Sequence, residues 1–282
     1  MPVKVSADSI CDLTPEQIER YAIDILPISI VKDNVTYKDG VEITQKEIFD
    51  YMDSGAGVCH TIAINIVEYS EFFSRFADKY DAVIHFTLSS KMSSCYQNAL
   101  IAASEFKNVY VIDSKNLSTG AGHLVLDAAI MAQEGRGAQE IIERINGLVD
   151  KVEASFVIDS LKYLHKGGRC SGVAALGANV LKLKPCIEVR DGAMTVGKKY
   201  RGNYEKVLLE YVRDRLEGRD DIDTRRIFIT HPPHGVTPEL VQAIREEIQK
   251  YKNFDEIVES LASCTISTHC GPMTLGILFY RK

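Results

Sequence analysis

The sequence predicts an α/β protein of two domains, an N-terminal parallel-sheet α/β/α domain and a C-terminal α/β domain with a mixed sheet. Three observations carry this. Through the first half, short apolar strands alternate with helical stretches, the order that gives a parallel sheet with helices on its faces. In the second half the strand CIEVRDGAMTV folds back on itself at Asp191-Gly192, a hairpin turn. The chain has 282 residues and is 45% hydrophobic, enough for one large domain or two ordinary ones. The boundary is expected near residue 154, which gives domains 1–153 and 154–282.

Val3–Ala7 reads as the first strand. Thr14 caps a helix that runs to Tyr21, with Pro15 at the first helical position and Gln17 three residues after the cap. Ile25–Val31 is a second apolar run, and NVTYKDG reads as a hairpin ending in Asp39-Gly40. Thr44 can cap the helix QKEIFDYM. Ala82–Leu88 is a strand and Ser93–Phe106 a helix; Val109–Ile112 is a strand and Gly120–Gln133 a helix. The polar-faced helix GRGAQEIIERINGLVDKV closes the first half. FVIDSL opens the second set, followed by helix LKYLH, a Gly-rich break and helix GVAALGANVL. After the hairpin come helix YEKVLLEYVRDRL, strand RIFITH, helix PELVQAIREEIQKY, strand EIVESLA and a last strand, TLGILFYR.

Composition narrows the function. Charged residues make up 26% and Pro only 8 positions, the profile of a folded chain. A net charge of -6 without Lys/Arg runs argues against nucleic acid or an anionic membrane surface as partner. MPVKVSADSICD holds no apolar run fit for a signal peptide, and no stretch is long enough to span a membrane. Cys11, Cys59, Cys95, Cys170, Cys186, Cys264 and Cys270 are scattered without a CxxC pair. They read as reduced, buried thiols, and the protein is expected in the cytoplasm.

In an open parallel sheet, ligands bind beyond the carboxyl ends of the strands. Three such ends carry small hydroxyl side chains: Asp8-Ser9, the run Ser89 to Ser94, and Asp113-Ser114 with Ser118-Thr119-Gly120 a little later. A serine cluster directly before a helix can hold a carboxylate or phosphate through hydroxyls and free backbone N–H groups. It can equally be plain N-capping. The chain has no GxxxxGK[ST] loop, no GxGxxG fingerprint and no GxSxG elbow. Ser29 and Lys32 have Ser-x-x-Lys spacing but face opposite sides of a strand. His231 and His234 flank two prolines in what reads as a turn, and His269 and Cys270 cannot both face one site from a strand. The Lys166-Gly-Gly-Arg169 break sets an arginine on a tight turn, either a helix C-cap with a solvated charge or an anion or partner contact. Arg201, after Lys198-Lys199-Tyr200, belongs to a basic patch that is either a solvated face or a dock for an acidic partner or a phosphate.

Taken in order, VSADSICDL, LSSKMSSCYQNA, VIDSKNLSTGAGHLVLDAA, LKYLHKGGRCSGVAALGANVLKLKP, GKKYRG and STHCGPMTLGILFY resemble the DegV family over essentially the whole chain. The resemblance implies a two-domain α/β protein that binds one long-chain fatty acid between its domains. It implies that the protein needs no other cofactor and serves a bacterial fatty acid kinase as its FakB-like lipid-binding subunit, for acyl-phosphate formation in phospholipid metabolism. By the same resemblance Thr61, Ser93 and His269 match the carboxylate-binding positions, and Arg169 and Arg201 match the side associated with kinase docking and phosphotransfer. Ser9, Ile62, Ser94, Ser118 and Gly271 are expected on the pocket rim. The chain departs from the family pattern at Ile62-Ala63-Ile64-Asn65, at Ser94 in place of a Gly, and at Met273 in place of a Gly. These departures bear on chain-length preference and loop geometry. The rivals are a stand-alone small-molecule kinase or acyl hydrolase, against which the missing motifs argue, and a carrier of another apolar acid without a kinase partner.

Overall fold

The structure is a computed structural model that describes residues 2–168 and 183–282. In the first half the elements are β1 (Val3–Asp8), α1 (Pro15–Arg20), β2 (Asp24–Leu26), β3 (Ser29–Lys32), β4 (Val35–Lys38), α2 (Gln45–Asp53), β5 (His60–Ile62), α3 (Ile66–Ala77), β6 (Ala82–Thr87), α4 (Cys95–Ala103), β7 (Val109–Asp113), α5 (Ser118–Gln133) and α6 (Ala138–Val149). The second half contributes β8 (Val152–Ile158), α7 (Lys162–Lys166), β9 (Leu183–Arg190), β10 (Ala193–Arg201), α8 (Tyr204–Leu216), β11 (Ile222–His231), α9 (Pro238–Tyr251), β12 (Glu256–Leu261), α10 (Cys264–Cys270) and β13 (Thr274–Arg281). The helix expected in GVAALGANVL lies outside the described residues.

The first half builds a parallel sheet in the order β2-β1-β6-β7 and a small antiparallel sheet, β4-β3-β5. The second half builds a six-stranded sheet, β10-β9-β8-β13-β11-β12, in which only β11 and β12 run parallel. The fold is thus α/β with a parallel sheet followed by a mixed one.

Local chemistry explains several element ends. Thr14 and Thr44 each complete a capping box, with Gln17 and Glu47. Asp191 and Gly192 both take positive φ, as a two-residue hairpin turn requires. Three expectations change. The apolar run Ile25–Val31 splits at Pro27, which has no N–H to donate, so that β2 and β3 join different sheets. The hairpin in NVTYKDG turns at Asp33-Asn34, both with positive φ, and pairs Lys32 with Val35; Asp39-Gly40 follows its second strand. His269 and Cys270 sit on a helix, α10, whose N-cap is Ser263.

The halves are locked together by α5, which is buried on every face from Ser118 to Ala129. Its Thr119 and Thr230 hydroxyls are 2.6 Å apart, and His123 Nε2 lies 3.0 Å from the Leu278 carbonyl. Asp127 pairs with Arg226 at 2.9 Å, both side chains nearly fully buried. Tyr163 and Cys264, from the second half, pack beside Ile30, Ile48 and Phe49 of the first.

Candidate functional site

A cavity of about 460 Å³ lies where β5, the loop entering α4, β10 and α10 meet. That volume is within the ordinary range for small-molecule sites. Its walls are mostly apolar: Ile28, Leu88, Met92, Leu117, Leu164, Met194 and Ile266. Thr61, Ser93, Ser94, Asn98, Thr265 and His269 supply the polar side chains, and no Lys or Arg among the described residues lines it.

Each polar group arrives by a different route. Thr61 is carried by β5, which is held by pairing of Ile30 with Thr61. Its Oγ1 lies 2.9 Å from His269 Nε2 on α10, although the two are 208 positions apart in sequence. Ser93 sits just before α4 and accepts the Cys95 backbone N–H at 3.2 Å. Asn98, one turn into α4, donates to the Ile64 carbonyl at 2.8 Å and so ties α4 to the chain leaving β5.

The helix α10 is itself held by the other half of the protein. The N–H groups of Ser263 and Cys264 donate to Asp12 Oδ1 (2.9 Å) and Asp39 Oδ1 (2.8 Å), and that of Thr265 donates to Asp39 Oδ2 (3.2 Å). Carboxylates at a helix N-terminus satisfy free donors and complement its dipole. Burial pushes Asp12 up to about 7, against the lowering effect of Ser118 and Ser263, and burial raises Asp39 as well.

These anchors account for two rim residues that fall elsewhere. Ser9 donates to Asp39 Oδ2 at 2.8 Å and Ser118 to Asp12 Oδ2 at 2.6 Å, so both brace α10 and neither lines the cavity. Gly271 does not line it either. Its φ of 82° ends α10, and a Cβ there would come within 2.5 Å of the Tyr163 ring. Ile62 and Ser94 are on the wall, with Ile62 48% exposed. Cys270 joins His269 on the same wall, which a helix allows where a strand would not.

The Gly-Gly break has a packing reason. A side chain at Gly167 would run into His269 Nδ1, so glycine here lets α7 approach the imidazole. Arg169 lies outside the described residues. Arg201 ends β10 opposite Leu183 and is exposed. Of the neighbouring charges, Lys198 is engaged with Glu210 and Asp214, while Lys199 and Arg201 have no ion pair among the described residues. His231 faces the Pro232 carbonyl at 2.7 Å and Glu259 at 3.2 Å.

Sequence reasoning passed over Asp12, Asp39 and Asn98. Asp39 belongs to a Asp-Gly pair that reads as a turn, and nothing local marks it as the cap of a helix 225 positions later. The arrangement suits an apolar molecule with one polar end, met by the side chains of Thr61, Ser93 and His269.

The model of the DegV family, described as an uncharacterised protein family, matches residues 2–282. A DegV domain-containing protein of Caldanaerobacter subterraneus is 32% identical over 284 residues, covering 99% of both chains. Among solved structures, a DegV family protein from Thermus thermophilus, described by its fatty acid binding, is 26% identical and superposes over the full length of both chains with a TM-score of 0.89. DegV from Bacillus subtilis, described as a fatty acid binding protein, is also 26% identical, with full coverage of both chains and a TM-score of 0.82. No helix among the described residues is long and apolar enough to cross a membrane.

Proposed function

The chain belongs to the DegV family, and from that premise we propose that it binds one long-chain fatty acid in the cavity, with the carboxylate at Thr61, Ser93 and His269. The observation that carries the reading is the cavity itself, apolar along its walls and polar where Thr61 meets His269. Burial of about a dozen methylenes is worth on the order of 10 kcal/mol gross. The head group therefore needs orientation more than affinity. Two hydroxyls and an imidazole orient it without an ion pair that would hold the carboxylate back from phosphorylation.

The finer reading is that the protein is a cytoplasmic binding subunit, divided at 153/154, that presents the carboxylate to a separate kinase subunit. Arg201, exposed and without an ion pair among the described residues, supports a contact of this kind, with Arg169 as its expected companion. An arginine offers a planar, permanently charged fork for carboxylate or phosphate.

Mass spectrometry after denaturing extraction tests the binding reading. Protein purified from a heterologous host, or incubated with oleate or palmitate, should release one fatty acid per chain. Recovery of no stoichiometric acyl chain after both treatments rejects it.

A further inference from the structure

Behind the cavity wall lies a buried polar group that the binding site does not use directly. Asp8 ends β1 and His85 is on β6, and both are completely buried. Asp8 Oδ1 accepts the Tyr69 hydroxyl at 2.7 Å and faces His85 Nε2 at 3.1 Å, and its Oδ2 accepts the Leu88 N–H at 3.1 Å. Ser6 Oγ completes the group, 2.9 Å from His85 Nδ1. Tyr69 on α3 and Cys95 at the start of α4 are both fully buried. Cys95 Sγ in turn lies 3.2 Å from Ser93 Oγ, which lines the cavity.

A hydroxyl or thiol has one hydrogen to donate. The Ser93 hydroxyl spends its own on the Cys95 sulfur. Burial pushes the Cys95 thiol up to about 11, so the sulfur keeps its own hydrogen at neutral pH and accepts as a neutral thiol. Ser93 Oγ meanwhile accepts the Cys95 backbone N–H. The donation runs from Ser93 to Cys95, away from the cavity.

We propose that Cys95 is a positioning residue for the head-group site, its sulfur holding the Ser93 hydroxyl hydrogen until a bound carboxylate draws it into the cavity. The inference rests on the fatty-acid reading above. A thiol sulfur is a weak acceptor, whereas a hydrogen bond to a carboxylate is charge-assisted and about twice as strong as a neutral one. The hydroxyl therefore turns when the ligand arrives, and the acceptor strength at position 95 sets what that turn costs. A stronger acceptor should weaken binding and a missing one should tighten it.

The test measures oleate affinity by calorimetry on the full chain. Cys95→Ala removes the competing acceptor and should lower Kd about threefold; Cys95→Ser installs a stronger one and should raise it about threefold, each the size of one weak neutral hydrogen bond. On a Ser93→Ala background both changes should vanish. In the infrared, oleate should shift an S–H band of the wild type, and that shift should be missing in Cys95→Ser. A packing role would move both single variants the same way and survive in Ser93→Ala, and either result overturns the proposal, as does indifference of both variants. Wild-type protein that takes up no oleate overturns the fatty-acid reading together with this one; wild type that binds while the Cys95 variants fail the pattern overturns this one alone.

Discussion

His123 should make the union of the two halves sensitive to acid. It stands on α5 with no exposure, between the rings of Phe228 and Tyr280, and contacts the Leu278 carbonyl at 3.0 Å. Burial, then the nearby charge of Arg226, lowers it from 6.5 to about 4. For a base lowered in the folded state, the unfolded chain takes up its proton first as pH falls. The stability it contributes is therefore complete above 6.5 and drains away toward about pH 4. A separation of this size corresponds to about 3 kcal/mol at 1.4 kcal/mol per unit. His123→Gln keeps an N–H for the Leu278 carbonyl and removes the titration. Urea unfolding at a series of pH values should show wild type losing roughly 3 kcal/mol more than His123→Gln between pH 7 and 4. Asp12 acts with the opposite sign. Raised to about 7, it favours the folded state below its unfolded value of 3.8 and loses that contribution as pH climbs through 7. Asp12→Asn should therefore lose more stability on acidification than wild type does. Parallel pH profiles for wild type and His123→Gln would refute the reasoning.

Other outcomes follow from the same geometry. Ser93→Ala should weaken fatty acid binding by about 1–3 kcal/mol in a displacement assay, the loss expected for one charge-assisted hydrogen bond. Purified protein, with or without fatty acid, should not hydrolyse ATP above about one turnover per second, and a faster rate abolished by an inactive mutant would reject the subunit reading. Arg201→Glu and Arg169→Glu should retain their lipid and their melting temperature yet lower acyl-phosphate formation with a cognate kinase subunit by at least about tenfold. Loss of lipid or of fold in both would make these arginines structural. Asp127→Ala should destabilise the protein by about 3 kcal/mol in denaturant melts, because it leaves buried Arg226 with Glu256 as its one ion pair among the described residues.

What the sequence by itself determined is what neighbouring residues decide among themselves. The capping boxes at Thr14 and Thr44, the Asp191-Gly192 turn and the N-caps of α8 and α9 all follow from interactions spanning a few positions. The α/β class followed from the same periodicities, and the family from the order of its motifs. Even α3, which the reading missed, carried a local signal in the Asn65–Glu68 capping box. Tertiary structure decided the rest. Thr61 meets His269 only because a small sheet of the first half and a helix of the second share one wall. Ser9 and Ser118, alike in sequence context to Ser93, turn to Asp39 and Asp12. A serine at a strand end donates to whichever acceptor the packing brings near. A buried carboxylate at a helix N-terminus needs more donors than its own segment holds, and those donors come from whatever the packing of the two halves places against it.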